Sequence, residues 1–179
     1  LAAARSTCFD VALVSRWRMP GGASGALEAL EDAARATQER QLVPIAFSFG
    51  ASQLAGSQAI DLGLDGVVRF VPPVSQDDLA RWCAASTAVA VPSYNESFGL
   101  VAVESQACGT PVVAAAVGGL RTAVNDGSSG LLIEGHDPHD YAQALRLTLH
   151  DSTERSLLSR GALIHARQFG WEQTARGTL

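Results

Sequence analysis

The sequence predicts an α/β fold: a Rossmann-like parallel sheet with helices on both faces, built as a single domain over residues 1–179. Three observations predict it. Segments of strand length alternate with segments of helical length from one end of the chain to the other. The connections are short, with no internal repeat and no long linker, as parallel strands joined by crossover helices require. A hydrophobic content of 47% against 17% charged residues is enough to fill the core of such a domain and excludes a disordered chain.

The elements follow in order. A first strand is expected over 8–15, a helix over 23–37, a second strand over 42–49, a helix over 52–62, a strand over 67–71 and a helix over 76–85. The run Thr87-Ala88-Val89-Ala90-Val91 reads as a short buried parallel strand, and Pro92, which has no N–H to give to a ladder, stops it. Ser93, Asn95, Glu96 and Ser97 then form a polar loop. A helix over 100–108 follows, closed by Gly109, with Pro111 preventing its continuation. A strand over 111–115, an ordinary turn at Asn125-Asp126-Gly127, a short strand over 130–133 and helices over 138–150 and 153–168 complete the chain. Asp137 before Pro138 is an N-cap with proline at the first helical position, and Asp140 complements the helix dipole. That capping pattern accounts for His136-Asp137-Pro138-His139-Asp140 without a metal, and no metal site is expected.

Composition narrows the function. A formal net charge of −5 gives no general attraction to nucleic acid or to anionic lipid. No apolar run approaches the ~20 residues needed to span a bilayer, and residues 1–5 lack the apolar core of a signal peptide, so a cytoplasmic protein is expected. Cys8, Cys83 and Cys108 match neither a disulfide framework nor a zinc pattern and read as buried thiols. All 13 basic residues are arginine.

The segment from Pro92 to Val113 carries the functional signal. It places Glu96 ahead of a helix and Glu104 more than a turn inside it, while the helix N-terminus opens at the carboxyl end of a strand. Free N–H groups at Gly99, Leu100 and Val101 suit an anion such as a phosphate. Two carboxylates beside a phosphate would repel it unless they meet another part of the ligand, and sugar hydroxyls, which donate to carboxylates, are that part. Glu96 and Glu104 flanking a nucleotide sugar, one on the hexose and one on the ribose, satisfy both requirements. The competing reading makes Glu96 a loop charge and Glu104 a solvated helix residue. No Ser-His-Asp or Cys-His arrangement and no GxGxxG fingerprint points elsewhere.

This segment resembles the donor-binding signature of retaining GT-B glycosyltransferases of family 4, with its Glu-x7-Glu motif. It is especially similar to the inositol-phosphate N-acetylglucosaminyltransferases of mycothiol synthesis. The resemblance extends through Val68 to Ser75, Val117-Gly118-Gly119-Leu120, Asn125 to Leu132 and His136-Asp137-Pro138. It implies a metal-independent transferase whose nucleotide-sugar donor, UDP-linked, is a substrate rather than a cofactor, with a small-molecule or glycan acceptor. Glu96 and Arg16 would be the catalytic groups, Glu96 on the hexose hydroxyls and Arg16 on the diphosphate. Phe98, Gly99, Leu100 and Val101 would hold sugar and phosphate, Glu104 the ribose, Val71 the base, and Gly118 and Gly119 would line the donor pocket. The family carries a lysine five residues after the arginine; here Gly21 stands there. Two alignments remain: Arg16 ends the first donor-domain strand, or Arg18 to Ser24 is the glycine-rich loop of an acceptor domain. A chain of this length accommodates one of the two domains of such an enzyme and reads as a fragment lacking the acceptor-binding domain. A non-catalytic nucleotide-sugar-binding remnant is the second reading, and an epimerase of the same broad fold the third.

Overall fold

A computed structural model describes residues 9–15, 45–48, 60, 69–71 and 74–170. Among them, six strands form one sheet: β1 (Phe9–Ser15), β2 (Ile45–Ser48), β3 (Arg69–Val71), β4 (Ser86–Val91), β5 (Val112–Ala115) and β6 (Gly130–Ile133). The spatial order is β3-β2-β1-β4-β5-β6 and every pair is parallel, with Ile45 opposite Arg69, Leu13 opposite Ala90, and Val113 opposite Leu131 in register. The helices are α1 (Gln76–Ala85), α2 (Leu100–Ala107), α3 (Leu120–Ala123), α4 (Pro138–His150) and α5 (Ser152–Ala166), followed by a 3₁₀ turn at Arg167–Phe169.

Successive strand residues point to opposite faces, and Val112, Val113, Ala114 and Ala115 are all buried, so β5 is covered on both sides. Helices α2 and α4 both pack on β4 and β5. Val89, Val112, Val113, Leu120, Tyr141 and Leu145 form the centre of the resulting core. Each buried Val or Leu stabilises the fold by about 1.5–3 kcal/mol.

Local chemistry sets the helix ends. The Ser75 hydroxyl accepts from the Asp78 N–H at the start of α1, with Asp77 and Asp78 in the first turn. Asp137 accepts from the His139 N–H in front of Pro138, as the sequence predicts for α4, and Asp151 accepts from Thr153 and Glu154 at the start of α5. Helix α2 closes in a Schellman arrangement: Gly109, at φ 80°, donates to the Gln106 carbonyl (2.9 Å) and Thr110 to the Ser105 carbonyl (3.1 Å). The Thr110 hydroxyl then donates to the Cys83 carbonyl (2.7 Å) and Ser105 Oγ to the Thr110 carbonyl (3.0 Å), fastening the ends of α1 and α2 to the start of β5.

The observed bounds of α1, β6 and α4 coincide with the sequence expectation, those of β4, α2, β5 and α5 differ by one or two residues at an end, and the remaining expected residues of β1, β2 and β3 lie outside the described residues. Helix α3 is not anticipated, because four residues carry no periodic signal. The helices expected over 23–37 and 52–62 lie outside the described residues, residue 60 excepted. No helix among the described residues is long and apolar enough to cross a membrane.

The strand order reverses between β1 and β4, and in open parallel sheets the ligand crevice lies at such a switch point, outside the carboxyl ends of the strands. Strand β4 ends at Val91, so the loop bearing Glu96 leaves the sheet at that place.

Candidate functional site

The loop of residues 92–99 runs from β4 to α2 without regular structure. The side chains of Asn95, Glu96 and Ser97 make no hydrogen bond among the described residues, and Glu96 is half-buried. The loop is held instead through its backbone. Gly119 N–H donates to the Glu96 carbonyl (2.8 Å), and His136 Nε2–H donates to the Ser93 carbonyl (3.3 Å). The His136 ring also stacks on Tyr94, centroids 3.9 Å apart and 5° from parallel.

Gly99 ends the loop as the N-cap of α2, at φ 87°, a left-handed conformation with no side chain to occupy the helix amides. A Cβ there would also stand 2.8 Å from Leu120 Cδ2. Glycine therefore leaves the first turn of α2 uncapped from its own side, with its N–H groups at the carboxyl end of the sheet. No acidic residue lies in that first turn, so the positive end of the helix dipole is not offset locally. Phe98 and Leu100 flank the opening with exposed side chains, and Val101 is half-buried.

Gly118 and Gly119 follow β5 at the same edge of the sheet, where the sequence places them. Their smallness has a reason that the sequence does not reveal. A Cβ on Gly119 would overlap Phe98 Cα and the Ser97 carbonyl oxygen, and one on Gly118 would overlap the Glu96 carbonyl oxygen. The two glycines let the backbone after β5 lie directly against the motif loop, and the Gly119–Glu96 hydrogen bond uses that proximity.

Glu104, inside α2, accepts from Gln76 Nε2 at the start of α1 (2.9 Å). One of its oxygens is thus oriented by a neighbouring helix, and a carboxylate has further lone pairs for a ligand. Gln76 is a site residue that sequence reasoning missed; its separation of 28 positions from Glu104 leaves no local signal. The contacts of His136 with Tyr94 and with Ser93, the latter 43 positions away, escaped for the same reason. Val71 is the last residue of β3. Arg16 lies outside the described residues, one position beyond the end of β1 at Ser15, and so does Gly21.

Among the described residues, the two cysteines are poorly suited to act as nucleophiles. Burial pushes the Cys83 thiol up to about 12, with Cys108 and then Glu104 adding to the effect. Cys108 is raised by burial and by Glu104, and its Sγ donates to the Ala80 carbonyl (3.5 Å). Cys8 lies outside the described residues.

A parallel sheet with a polar loop and an open helix N-terminus at its switch point defines the Rossmann-like class of α/β domain, whose ligand crevice lies at that place. Within that class the chain belongs to the glycosyl transferases group 1, whose family model matches residues 9–163. It is 58% identical over 153 residues to the D-inositol 3-phosphate glycosyltransferase of a Nocardioides species, covering 79% of this chain and 33% of that protein. The protein of the same name from Frankia alni is 61% identical over 121 residues, covering 68% of this chain and 30% of that one. The chain thus spans about a third of the length of these relatives. Among solved structures, the sucrose-phosphate synthase of Thermosynechococcus elongatus superposes with a TM-score of 0.81 at 28% identity, over 99% of this chain and 47% of that one. HepE of Anabaena, solved in complex with UDP, shares the fold with a TM-score of 0.77 at 24% identity, over 94% of this chain and 48% of that one.

Proposed function

We propose that this domain binds the nucleotide-sugar donor of a retaining glycosyltransferase and presents it for transfer of a hexosyl or N-acetylglucosaminyl group. The observation that carries the reading is the loop of residues 92–99: its polar side chains at 95–97 are bonded to nothing among the described residues, and it opens directly onto the uncapped amides of α2. Side chains that no protein group engages stay available to the hydroxyls of a ligand that displaces their water.

Glu96 accepts from the hexose hydroxyls. The amides of Phe98, Gly99, Leu100 and Val101 meet sugar and phosphate oxygens, and Arg16 clamps the diphosphate. Glu104, steadied by Gln76, takes the ribose, and Val71 borders the base. Gly118 and Gly119 line the donor pocket where they meet the backbone of the motif loop. The anomeric C–O bond breaks with its electron pair leaving on the nucleoside diphosphate. The acceptor hydroxyl attacks from the same face and passes its proton to a donor phosphate oxygen. The protein supplies preorganised charge for the leaving group rather than a nucleophile, and the chemistry asks for no metal. A UDP-linked donor follows the likeness to HepE, which was solved with UDP, and an inositol phosphate acceptor follows the names of the Nocardioides and Frankia relatives. Acceptor binding belongs to surfaces beyond this domain.

Calorimetry on the 179-residue chain with EDTA present tests this reading. UDP and UDP-N-acetylglucosamine should both bind. Glu104→Ala should weaken both ligands, whereas Glu96→Ala should weaken only the sugar-bearing one. A hydrogen bond to a charged group contributes roughly 1.5–3 kcal/mol, so each loss should reach about tenfold or more. No binding of any nucleoside diphosphate up to millimolar concentration would falsify the proposal.

A further inference from the structure

We infer that Tyr94 and His136 are a positioning pair: together they fix the bend of the loop of residues 92–99 and thereby the direction in which Glu96 is presented. The inference rests on the proposed sugar-binding role of Glu96.

The polar side chains of Asn95, Glu96 and Ser97 do not fasten this loop, being unbonded among the described residues. The Phe98 ring meets Phe169 edge to face at 5.7 Å at the far end, and contacts on either side hold the stretch that bears Glu96. On one side Gly119 N–H holds the Glu96 carbonyl at 2.8 Å. On the other, His136 makes two contacts with adjacent residues, a ring stack on Tyr94 at 3.9 Å and 5°, and a hydrogen bond to the Ser93 carbonyl at 3.3 Å. Glu96 therefore follows a segment fixed at 93 and 94 and is itself fixed at its carbonyl, so its Cα–Cβ direction is set from both sides.

The stack is not a by-product of core packing. Tyr94 is 52% exposed, and an exposed ring with two rotatable torsions gains little from burial. His136 in contrast stands on firm backbone. Asp137 next to it caps α4 through the His139 N–H at 2.9 Å, Pro138 fixes the following φ, and Tyr141 and Leu145 root the helix in the core. The pair is thus a strut from the start of α4 to the loop that follows β4. Donation to a carbonyl requires the proton on Nε2, so both contacts are made by one defined orientation of the ring.

The experiment is calorimetry on the full chain with UDP and with UDP-N-acetylglucosamine, for the parent protein and for Tyr94→Ala, Tyr94→Phe, His136→Ala and Glu96→Ala. Tyr94→Ala and His136→Ala are each expected to weaken UDP-N-acetylglucosamine about three- to tenfold, the range for a stacked pair, and to leave UDP unchanged. Tyr94→Phe, which keeps the stack, should restore parental binding. The double variant Tyr94→Ala/His136→Ala should be no worse than either single one, because removing one member already frees the loop. A general structural role would instead lower both ligands together. The inference is overturned if the alanine variants bind the sugar nucleotide like the parent, if they weaken UDP equally, or if Tyr94→Phe behaves like Tyr94→Ala. Should His136→Ala fold poorly, Tyr94→Ala on an exposed ring carries the test by itself. A Glu96→Ala that discriminates the ligands beside a Tyr94→Ala that does not sinks the pair alone. A Glu96→Ala that fails to discriminate, or a parent chain that binds no sugar nucleotide, sinks the role of Glu96 and this inference with it.

Discussion

Two loops of this domain have nearly the same composition and opposite habits. Residues 93–97 and residues 125–129 are both rich in Ser, Asn and acidic side chains, and both join elements of the same sheet. In the second, polar groups bond to the loop itself and to its neighbours. Ser129 Oγ accepts from the Asn125 N–H (2.9 Å), Asp126 Oδ1 accepts from the Leu132 N–H (2.8 Å), and the Ser128 and Ser129 N–H groups donate to the Asn125 carbonyl. The turn also packs on α5, where a Cβ on Gly161 would overlap the Ser128 carbonyl oxygen. In the first, the side chains of Asn95, Glu96 and Ser97 bond to nothing among the described residues, and outside groups grip the backbone. Composition alone therefore does not separate a structural turn from a binding loop; the use of the side chains does. A polar loop that satisfies itself stabilises the fold, and one held by its backbone leaves its side chains free for solvent or for the ligand proposed above.

The largest effect that tests this contrast is expected from Gly119→Ala. The added methyl would overlap Phe98 Cα and the Ser97 carbonyl oxygen, backbone that no rotamer change can move aside. Overpacking of this kind typically costs ~1–3 kcal/mol. It should also push the motif loop off the segment after β5 and abolish donor binding, because the Gly119–Glu96 hydrogen bond cannot survive the shift. Gly127→Ala is the matched control: Gly127 has φ 68° but nothing within 4 Å of a Cβ, so it should lose some stability through backbone strain and keep donor affinity. Thermal melts and calorimetry on the two variants read both quantities. Donor binding by Gly119→Ala at parental affinity would dissolve the distinction between the loops.

A smaller effect, confined to stability, is expected in the self-satisfied turn. Asp126→Ala removes one side-chain hydrogen bond to backbone (2.8 Å), and Ser129→Ala removes two, one accepted from the Asn125 N–H (2.9 Å) and one donated to the Asn125 carbonyl (3.4 Å); each variant should destabilise by about 0.5–1.5 kcal/mol with UDP and UDP-sugar affinities unchanged. Ser129 is fully buried, so its variant should stand at the upper end and that of the exposed Asp126 at the lower. Chemical denaturation measures the loss; a matching loss of donor affinity in either variant would show that this turn too belongs to the site.

The same contrast explains what was legible in the sequence. Elements with a chemical stop signal read well. Pro92 ends β4 at Val91, Gly109 closes α2, and Asp137-Pro138 opens α4. The motif loop between a strand and a helix marked the candidate site, and that loop leaves the carboxyl end of β4 beside the switch point. Relations across the sheet were not legible. The glycine pair at 118–119 read as pocket lining, whereas its contact with the backbone of Glu96, Ser97 and Phe98 is visible only once β4 and β5 lie side by side. The strut from His136 to Tyr94 and the contact of Gln76 with Glu104 join positions far apart in sequence, and periodicity, caps and turn residues report only on near neighbours.

Gln76 gives the smallest effect and the sharpest one for the assignment of Glu104. Its amide donates to Glu104 Oε1 at 2.9 Å, but Gln76 is exposed and water can replace it, so the bond contributes about 0.5–1.5 kcal/mol at most. Its value for binding lies in orientation: Gln76 occupies one carboxylate oxygen and leaves the other to the ligand. Gln76→Ala should therefore weaken UDP by a few-fold and UDP-N-acetylglucosamine by the same factor, since the ribose is common to both. In a Glu104→Ala background, Gln76→Ala should do nothing further, because the group it orients is gone. Calorimetry on the four proteins of that cycle decides it. An undiminished effect of Gln76→Ala in the absence of Glu104 would mean that Gln76 meets the ligand directly. An effect on the sugar nucleotide but not on UDP would move Glu104 from the ribose to the hexose.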